Sequence, residues 1–214
     1  AQPWWRRAIA RFALRRAHAV RAVSERVAAQ VRAVGTKARV SVLPVYVDLA
    51  RFRNVIREPH EGSVLLWIGR FEKEKNPEEA IRILRYVLAE IPDAQLIMMG
   101  DGSLLEKVRQ EARGLPVTFT GGADPVEYLA QADVVLSTSP AESWGASIIE
   151  ALAAGVPVVS RDVGVARDAG AIIAESDNFS DTVERVLRER PEARLQMAAL
   201  DLQEWAKAWR ESLL

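Results

Sequence analysis

Apolar residues from position 38 onward fall in short runs, and each run is separated from the next by a stretch with helical spacing. Short, uninterrupted apolar runs are typical of strands that are buried on both faces. We predict strands at about 38–45, 63–69, 94–100, 116–120, 133–138, 156–160 and 171–174. Strands that alternate with helices form a doubly wound parallel sheet, so the predicted fold class is α/β and Rossmann-like.

Residues that commonly cap helices mark the predicted starts of three helices. They are Asn76 before Pro77, Asp124 before Pro125, and Ser103 before a helix over 104–112. Beyond Asp177 the pattern predicts two terminal helices, at about 180–189 and 191–212. Trp205 and Trp209 lie four residues apart in the last helix and therefore share one face, as in helices that cover a sheet or contact another domain.

The N-terminal part of the chain allows two interpretations. In the first, a helix over about 4–17 is followed by a short strand at 19–23, and Ser24 caps a second helix that ends near Val34. In the second, one continuous helix runs through this region, because six apolar residues fit a single stripe. These residues are Ile9, Ala13, Val20, Val27, Val31 and Val34. The sequence leaves both interpretations open.

The composition limits the chemistry that the chain can perform. Its 214 residues are 49% hydrophobic and 27% charged, which is ordinary for one large domain or one domain with appendages. There is no cysteine, so disulfides and thiolate metal sites are excluded. The two histidines, His18 and His60, are far apart and give no support for a metal site. Without an apolar stretch near 18 residues or a secretory signal, we expect a cytoplasmic protein.

Charge is distributed unevenly, although the net charge is zero. The first 40 residues contain ten basic groups and one acidic group, Glu25; the basic residues are Arg6, Arg7, Arg11, Arg15, Arg16, Arg21, Arg26, Arg32, Lys37 and Arg39. The neutral total disfavours nucleic acid as a partner. With Trp4, Trp5 and Phe12, this basic arm could bind anionic lipid at the cytoplasmic face of a membrane or an acidic partner. Alternatively, it is a solvated helix face that abuts another domain in a longer chain.

The segment 140–159 holds two glutamates, Glu142 and Glu150, on either side of Gly145. The spacing places Glu142 in the loop after a buried strand, and Glu150 about one turn inside a helix over about 145–154. A helix N-terminus attracts phosphate, and a glycine there lets a ligand approach the backbone. Carboxylates at these positions can accept hydrogen bonds from the vicinal hydroxyls of a ribose or a sugar. Together these features suit a nucleotide-sugar.

A second loop with candidate chemistry follows the strand at 63–69. Arg70 and Lys75 lie five residues apart there, at the edge of the sheet where open α/β proteins bind ligands. A planar guanidinium and a mobile ammonium can hold the two phosphates of a diphosphate leaving group. Lys73 lies between them, and we assign it no role.

The segment 140–159 resembles the signature of the retaining GT-B glycosyltransferases of family 4, the glycosyl transferases group 1. Their pattern is approximately Glu-x-Phe-Gly-x4-Glu-Ala-x-Ala-x-Gly-x-Pro-Val, and Trp144 stands where Phe is usual. The family also carries Gly-Arg-x4-Lys where this chain has residues 69–75. The segment 42–52 resembles the family's interdomain linker, with Val45 and Tyr46 in place of Asn and Gly.

The resemblance implies a role for each candidate site residue. Glu142 would position the sugar, while Arg70 and Lys75 would stabilise the departing diphosphate as the catalytic cations. The predicted nucleotide-sugar-binding residues are Glu150 for the ribose, the helix start at Gly145, Ala146 and Ser147, and the glycine turns at Gly100 and Gly121. No metal is required, because the cationic loop and the helix dipole would neutralise the diphosphate. No cofactor is expected either, since the nucleoside-diphosphate sugar is the donor substrate.

The resemblance also implies a division of the chain. Residues 38–214 would be the donor-binding domain, which is the C-terminal half of a GT-B fold with extra N- and C-terminal helices. Residues 1–37 would be a remnant of the N-terminal domain, whose acceptor pocket is missing, so this fragment alone should turn over poorly. The alternative function is that of a non-catalytic interaction domain, which uses its basic N-terminal arm for membrane or protein association. A third reading, in which Glu142 and Glu150 are the acid and nucleophile of a glycosidase, is disfavoured by their placement around a phosphate-attracting helix end.

Overall fold

The predicted strands all form, and six of them make one parallel sheet. The computed structural model describes residues 4–198 and 200–212. Within these ranges the strands are β1 (Ala19–Ala22), β2 (Arg39–Val42), β3 (Ser63–Ile68), β4 (Ala94–Met99), β5 (Val117–Gly121), β6 (Val134–Ser137), β7 (Val158–Ser160) and β8 (Ile172–Ile173). The helices are α1 (Trp4–Arg16), α2 (Glu25–Ala33), α3 (Leu49–Arg53), α4 (Pro77–Glu90), α5 (Leu105–Glu111), α6 (Pro125–Leu129), α7 (Ala146–Ala153), α8 (Ala166–Ala169), α9 (Phe179–Glu189) and α10 (Leu202–Glu211).

The large sheet has the order β5-β4-β3-β6-β7-β8, and every neighbouring pair is parallel. The chain builds outward from β3 to β5 and then returns to place β6 on the other side of β3. Leu65 in β3 accordingly pairs with Leu96 of β4 and with Val134 of β6. This reversal is a topological switch point, where open α/β sheets bind ligands. The predicted α/β, Rossmann-like fold class is confirmed.

Helices cover the sheet because its strands are apolar on both faces. In β3 every residue from Ser63 to Trp67 is buried, as expected for a central parallel strand. Trp67, at the carboxyl end of β3, lies 4.9 Å from the ring of Phe71, which in turn lies 6.1 Å from Phe119 of β5. Tilted aromatic pairs at these distances add packing energy to their area burial. This aromatic cluster supports the sheet directly beneath the edge where the candidate residues lie.

Contacts divide the chain into two compact units, 48–198 and the described parts of 1–47 with 199–214. The large sheet belongs to the first of these. The division does not follow the predicted boundary after residue 37, because β2 pairs in parallel with β1 and so joins the N-terminal residues.

The smaller unit decides between the two interpretations of the N-terminal region. Ser24 caps α2, and its hydroxyl accepts a hydrogen bond of 3.3 Å from the amide of Val27. A strand precedes this cap, so the prediction of a strand and a capped helix is confirmed and the continuous helix is wrong. In α10 of the same unit, the Trp205 indole donates to the Pro44 carbonyl at 2.7 Å, and the Arg21 guanidinium lies 4.6 Å from the Trp209 ring.

The last helix is shorter than predicted. Residues 191–198 and 200–201 carry no regular secondary structure, and α10 begins only at Leu202. Asp201 sets this start through a capping box, in which its side chain accepts from the Glu204 amide while the Glu204 carboxylate accepts from the Asp201 amide.

Of the three caps predicted in the large unit, Asp124 is confirmed, Asn76 stands at the predicted N-cap position without a side-chain capping bond, and Ser103 is wrong. Asp124 accepts from the Val126 amide at 3.0 Å and caps α6. Asn76 precedes α4 but lies in the left-handed region at φ 50°, and its side-chain amide donates to Glu79 instead of capping. Ser103 does not cap α5 either, because both its amide and its hydroxyl donate to the carboxylate of Glu72.

Candidate active site at the carboxyl edge of the sheet

The turns that follow β3, β4 and β5 are held together by backbone hydrogen bonds beyond the ends of the strands. The Gly69 amide donates to the Met99 carbonyl at 3.0 Å, and the Gly100 amide donates to the Gly121 carbonyl at 2.8 Å. Glycines predicted to border the nucleotide-sugar therefore lie side by side at one edge. Gly100 itself has φ +131°, and a Cβ there would overlap the Gly69 carbonyl oxygen. Only glycine fits this approach of two backbones.

Lys75 and Glu142 are brought into contact by the switch point. Lys75 follows β3 and Glu142 follows β6, and these two strands are neighbours in the sheet. The Lys75 ammonium and the Glu142 carboxylate form an ion pair, with side-chain exposures of only 25% and 16%. Two residues 67 positions apart in the sequence, predicted to bind the sugar and the diphosphate of one ligand, thus lie in contact.

The backbone that carries Lys75 is fixed by Thr138, at the end of β6. The Trp67 indole donates to the Thr138 hydroxyl at 2.9 Å, and that hydroxyl lies 2.9 Å from the carbonyl oxygens of both Lys75 and Asn76. A hydroxyl has one proton, so it donates to one of these carbonyls at a time. The sequence analysis did not assign this role to Thr138.

The start of α7 has no side-chain cap, so its first-turn amides are open to another acceptor. Gly145 precedes the helix in the left-handed region at φ +101°, and Ala146 and Ser147 form the first turn. The amides of a first turn have no acceptor inside the helix and carry part of the positive end of its dipole. The helix therefore presents donors next to the loop that holds Glu142.

Glu150 lies one turn inside α7 and is partly buried. Within the described ranges its carboxylate makes no hydrogen bond. Burial raises the pKa of the Glu150 carboxyl, and the charge of Arg51 opposes this shift. Arg51, in α3, also forms an ion pair with Asp124. Arg51 lies within the linker-like segment 42–52, for which the sequence predicts no binding role.

Arg70 is not joined to the other candidate residues. Its guanidinium bonds to Glu74 at 2.6 Å, and its side chain is 68% exposed. The spacing of Arg70 and Glu74, four residues apart in one loop, lets them pair locally. The structure therefore brings Lys75 and Glu142 together and leaves Arg70 at the rim.

Trp144, which replaces the family's phenylalanine, is 9% exposed. Its indole N–H is buried and has no hydrogen-bond partner in the described chain. The Trp144 carbonyl accepts from the Val165 amide at 3.0 Å, and Gly164 packs so tightly that a Cβ there would overlap this carbonyl. The segment after β7 thus supports the loop of Glu142 through its backbone.

Arg161 is a second residue that the sequence analysis missed. Its side chain is only 16% exposed, and it donates to the Thr138 carbonyl at 2.6 Å and to the Ser176 hydroxyl at 3.1 Å. Arg161 therefore ties β7 to the loop after β6. Among residues 4–198 and 200–212, no three His, Asp or Glu side chains are grouped to hold a metal ion.

Residues 62–189, more than half of the chain, match the family model of the glycosyl transferases group 1. The chain belongs to this family.

Two curated relatives are identical to this chain at about a third of the aligned residues. The chain is 33% identical over 141 residues to the GDP-mannose-dependent α-(1-6)-phosphatidylinositol dimannoside mannosyltransferase of Mycobacterium tuberculosis, covering 60% of this chain and 36% of that protein. It is 32% identical over 135 residues to glycogen synthase from the same organism, covering 59% of this chain and 33% of that protein. The chain thus spans about a third of the length of these relatives.

Solved glycosyltransferase structures share the fold. Sucrose-phosphate synthase from Thermosynechococcus elongatus superposes with a TM-score of 0.73 at 22% identity, over 99% of this chain and 57% of that one. HepE from Anabaena, in complex with UDP and glucose, superposes with a TM-score of 0.70 at 20% identity, over 96% of this chain and 60% of that one. The sheet and its helices are thus those of a GT-B glycosyltransferase, as predicted.

The glycine turns allow a test with a matched control. Gly100→Ala should lower the free energy of unfolding by about 3 kcal/mol or more, because the new Cβ would force the Gly69 backbone away. Gly121→Ala should cost only about 1 kcal/mol, because Gly121 has φ +65° but open space around it. Urea denaturation of both variants measures the difference. Equal losses would contradict the close approach at Gly100.

Proposed function

We propose that the chain is the donor-binding domain of a retaining glycosyltransferase, which binds a nucleoside-diphosphate sugar for hexosyl transfer to a hydroxyl acceptor. The observation that carries this proposal is the contact of Lys75 with Glu142 at the switch point, beside the amide-presenting start of α7. The charges of these groups are complementary to the parts of such a donor. Lys75 and the first-turn amides would bind the diphosphate, and Glu142 would accept hydrogen bonds from the sugar hydroxyls.

The nucleoside would lie toward Glu150. A carboxylate that is partly buried and has no hydrogen-bond partner in the described chain is a suitable acceptor for the two hydroxyls of a ribose. The turns at Gly100 and Gly121 would border the same ligand. Arg70 would join the diphosphate by exchanging Glu74 for a phosphate oxygen. This exchange needs only a side-chain rotation, because Arg70 is exposed.

Catalysis would rest on stabilising the leaving group. As the bond between the sugar and the diphosphate breaks, negative charge grows on the phosphate oxygens and the sugar becomes oxocarbenium-like. Cations and amides fixed beforehand around those oxygens stabilise this charge without reorganising. Glu142 would orient the sugar so that the acceptor hydroxyl attacks with retention of configuration.

The relatives support a nucleoside-diphosphate sugar as the class of donor. One relative is described as GDP-mannose-dependent, and HepE was solved with UDP and glucose. The chain spans 57% and 60% of the two superposed structures. We therefore assign acceptor binding to a second, N-terminal GT-B domain, without which the chain alone should have little transferase activity.

Binding of nucleoside diphosphates tests the proposal. Calorimetry with UDP, GDP and ADP should give a dissociation constant below the millimolar range for at least one of them. Lys75→Met should weaken that binding about tenfold to a hundredfold, because it removes a charged donor to phosphate. Lys73→Met, an equal change of charge in the same loop, is the control and should have little effect. No binding of any diphosphate to the folded chain would refute the donor site.

A pH-dependent stability test addresses Glu150. Because its pKa is raised in the folded state, the ionised carboxylate destabilises the fold above that pKa. Glu150→Gln should therefore raise the free energy of unfolding at pH 7, on the order of 1 kcal/mol or less. The gain should disappear as the pH falls through the raised pKa toward the ordinary range of a glutamate. An unchanged gain at pH 4 would contradict burial as the cause, and Glu106→Gln on the surface provides the control.

A second candidate function is peripheral membrane contact through α1. The sequence of this helix contains five arginines and no acidic residue, and Trp4, Ile9 and Phe12 are more than half exposed. An apolar face flanked by arginines suits an anionic lipid surface. In the described part of the chain, no helix combines the length and apolar character needed to cross a bilayer.

Vesicle sedimentation separates this second function from the first. The chain should pellet with phosphatidylserine vesicles and not with phosphatidylcholine vesicles, and a Trp4→Ala, Phe12→Ala double variant should reduce the bound fraction severalfold. Ile56→Ala, which alters an apolar residue of 83% exposure in the other unit, should leave it unchanged. Equal binding of the wild-type chain and the double variant would rule out α1 as the contact.

A further inference from the structure

The group assigned to the diphosphate of the donor and the group assigned to its sugar are bonded to each other. The Lys75 ammonium, assigned to the diphosphate, has the Glu142 carboxylate as its partner, and Glu142 is assigned to the sugar. Both side chains are three-quarters buried or more. The other diphosphate cation, Arg70, has an exposed partner, because the Arg70 and Glu74 side chains are 68% and 55% exposed. Of these two ion pairs, that of Lys75 is the one shielded from water.

Because the ion pair is shielded from water, taking away one partner costs much free energy unless the remaining charge finds a new partner. When a diphosphate binds Lys75, it displaces Glu142 and places negative phosphate oxygens beside a carboxylate. A buried charge that loses its partner destabilises a protein strongly, whereas exposed pairs contribute little. A nucleoside diphosphate offers Glu142 nothing in exchange. A nucleoside-diphosphate sugar offers hydroxyl donors, which can replace the lost ammonium.

We propose that the Glu142–Lys75 ion pair makes the site discriminate between the sugar-bearing donor and the free nucleoside diphosphate. Glu142 would compete with the diphosphate for Lys75 whenever no sugar is attached, and it would cease to compete when sugar hydroxyls bind it. The role extends the proposed function and rests on it. After transfer, re-formation of the pair would favour release of the diphosphate product and so limit product inhibition.

The experiment compares two ligands on one variant. The nucleoside diphosphate that binds best, and its glucose or mannose conjugate, are titrated into the chain by calorimetry. Glu142→Gln removes the competing charge and keeps the shape. It should tighten binding of the free diphosphate by about tenfold and leave binding of the sugar conjugate unchanged or weaker. The preference for the sugar conjugate should therefore fall by about tenfold or more.

Two further variants make the result specific to the ion pair. Glu74→Gln removes the exposed partner of Arg70 and should change both affinities by less than about threefold. In a Lys75→Met background, Glu142→Gln should tighten binding of the free diphosphate much less, because only the repulsion between Glu142 and the phosphate remains to be removed. The urea midpoint of each variant verifies that it is folded.

The possible outcomes separate the two proposals. If the wild-type chain binds no nucleoside diphosphate, the proposed function fails and the discrimination fails with it. If the diphosphate binds but Glu142→Gln weakens binding of both ligands alike, the donor site stands and the proposed discrimination between the ligands is refuted. The discrimination is also refuted if Glu142→Gln tightens binding of the diphosphate equally in the presence and absence of Lys75. Should Glu142→Gln unfold the chain, Glu142→Asp, which shortens the side chain and weakens the pair, must shift the preference in the same direction.

Discussion

The parallel pairing of β3 with β6 is the constraint on which the candidate site depends. These strands are separated in the sequence by β4, β5 and three helices, yet they are neighbours in the sheet. Their pairing sets the loops of Lys75 and Glu142 side by side, and Thr138 then links the end of β6 to the backbone of Lys75. An ion pair formed by residues so distant in sequence reflects the order of the strands. The buried apolar strands thus fix the geometry of the polar site.

The charged residues at this edge differ in how strongly water screens them. The Lys75–Glu142 pair is mostly buried, the Arg70–Glu74 pair is exposed, and Glu150 is partly buried without a hydrogen-bond partner in the described chain. Interactions between charges strengthen as water is excluded, so these groups should differ widely in energetic weight. The site is therefore better described by the surroundings of each charge than by the number of charges.

The sequence predicts the sheet well because the signal lies in each strand separately. A strand buried between two layers of helices is mostly apolar, and residues 64–68 and 134–136 have that character wherever their neighbours lie. In the segment 140–159, the turn and the helix are likewise predicted by residues that are close together in the sequence. Side-chain partners are not local. Asn76 and Ser103 have the residue types of helix caps, yet Glu79 and Glu72 bind them instead.

The same reasoning explains which site residues were placed differently or overlooked. The spacing of Arg70 and Lys75 shows that both can reach a ligand, but it does not show that Glu74 holds Arg70 at the rim. Arg161 and Thr138 act through backbone carbonyls, which no side-chain motif reveals. Arg51 reaches Asp124 across 73 positions of sequence, so the fold had to be known before Arg51 could be linked to the surroundings of Glu150.

The close approach of Gly100 to Gly69 has a consequence for how the site can adapt to a ligand. The turns after β3, β4 and β5 are joined by backbone hydrogen bonds, and no space is left between Gly100 and Gly69. These turns must therefore move together as one rigid unit. A ligand bound beside them would therefore meet a surface whose backbone does not adapt to it.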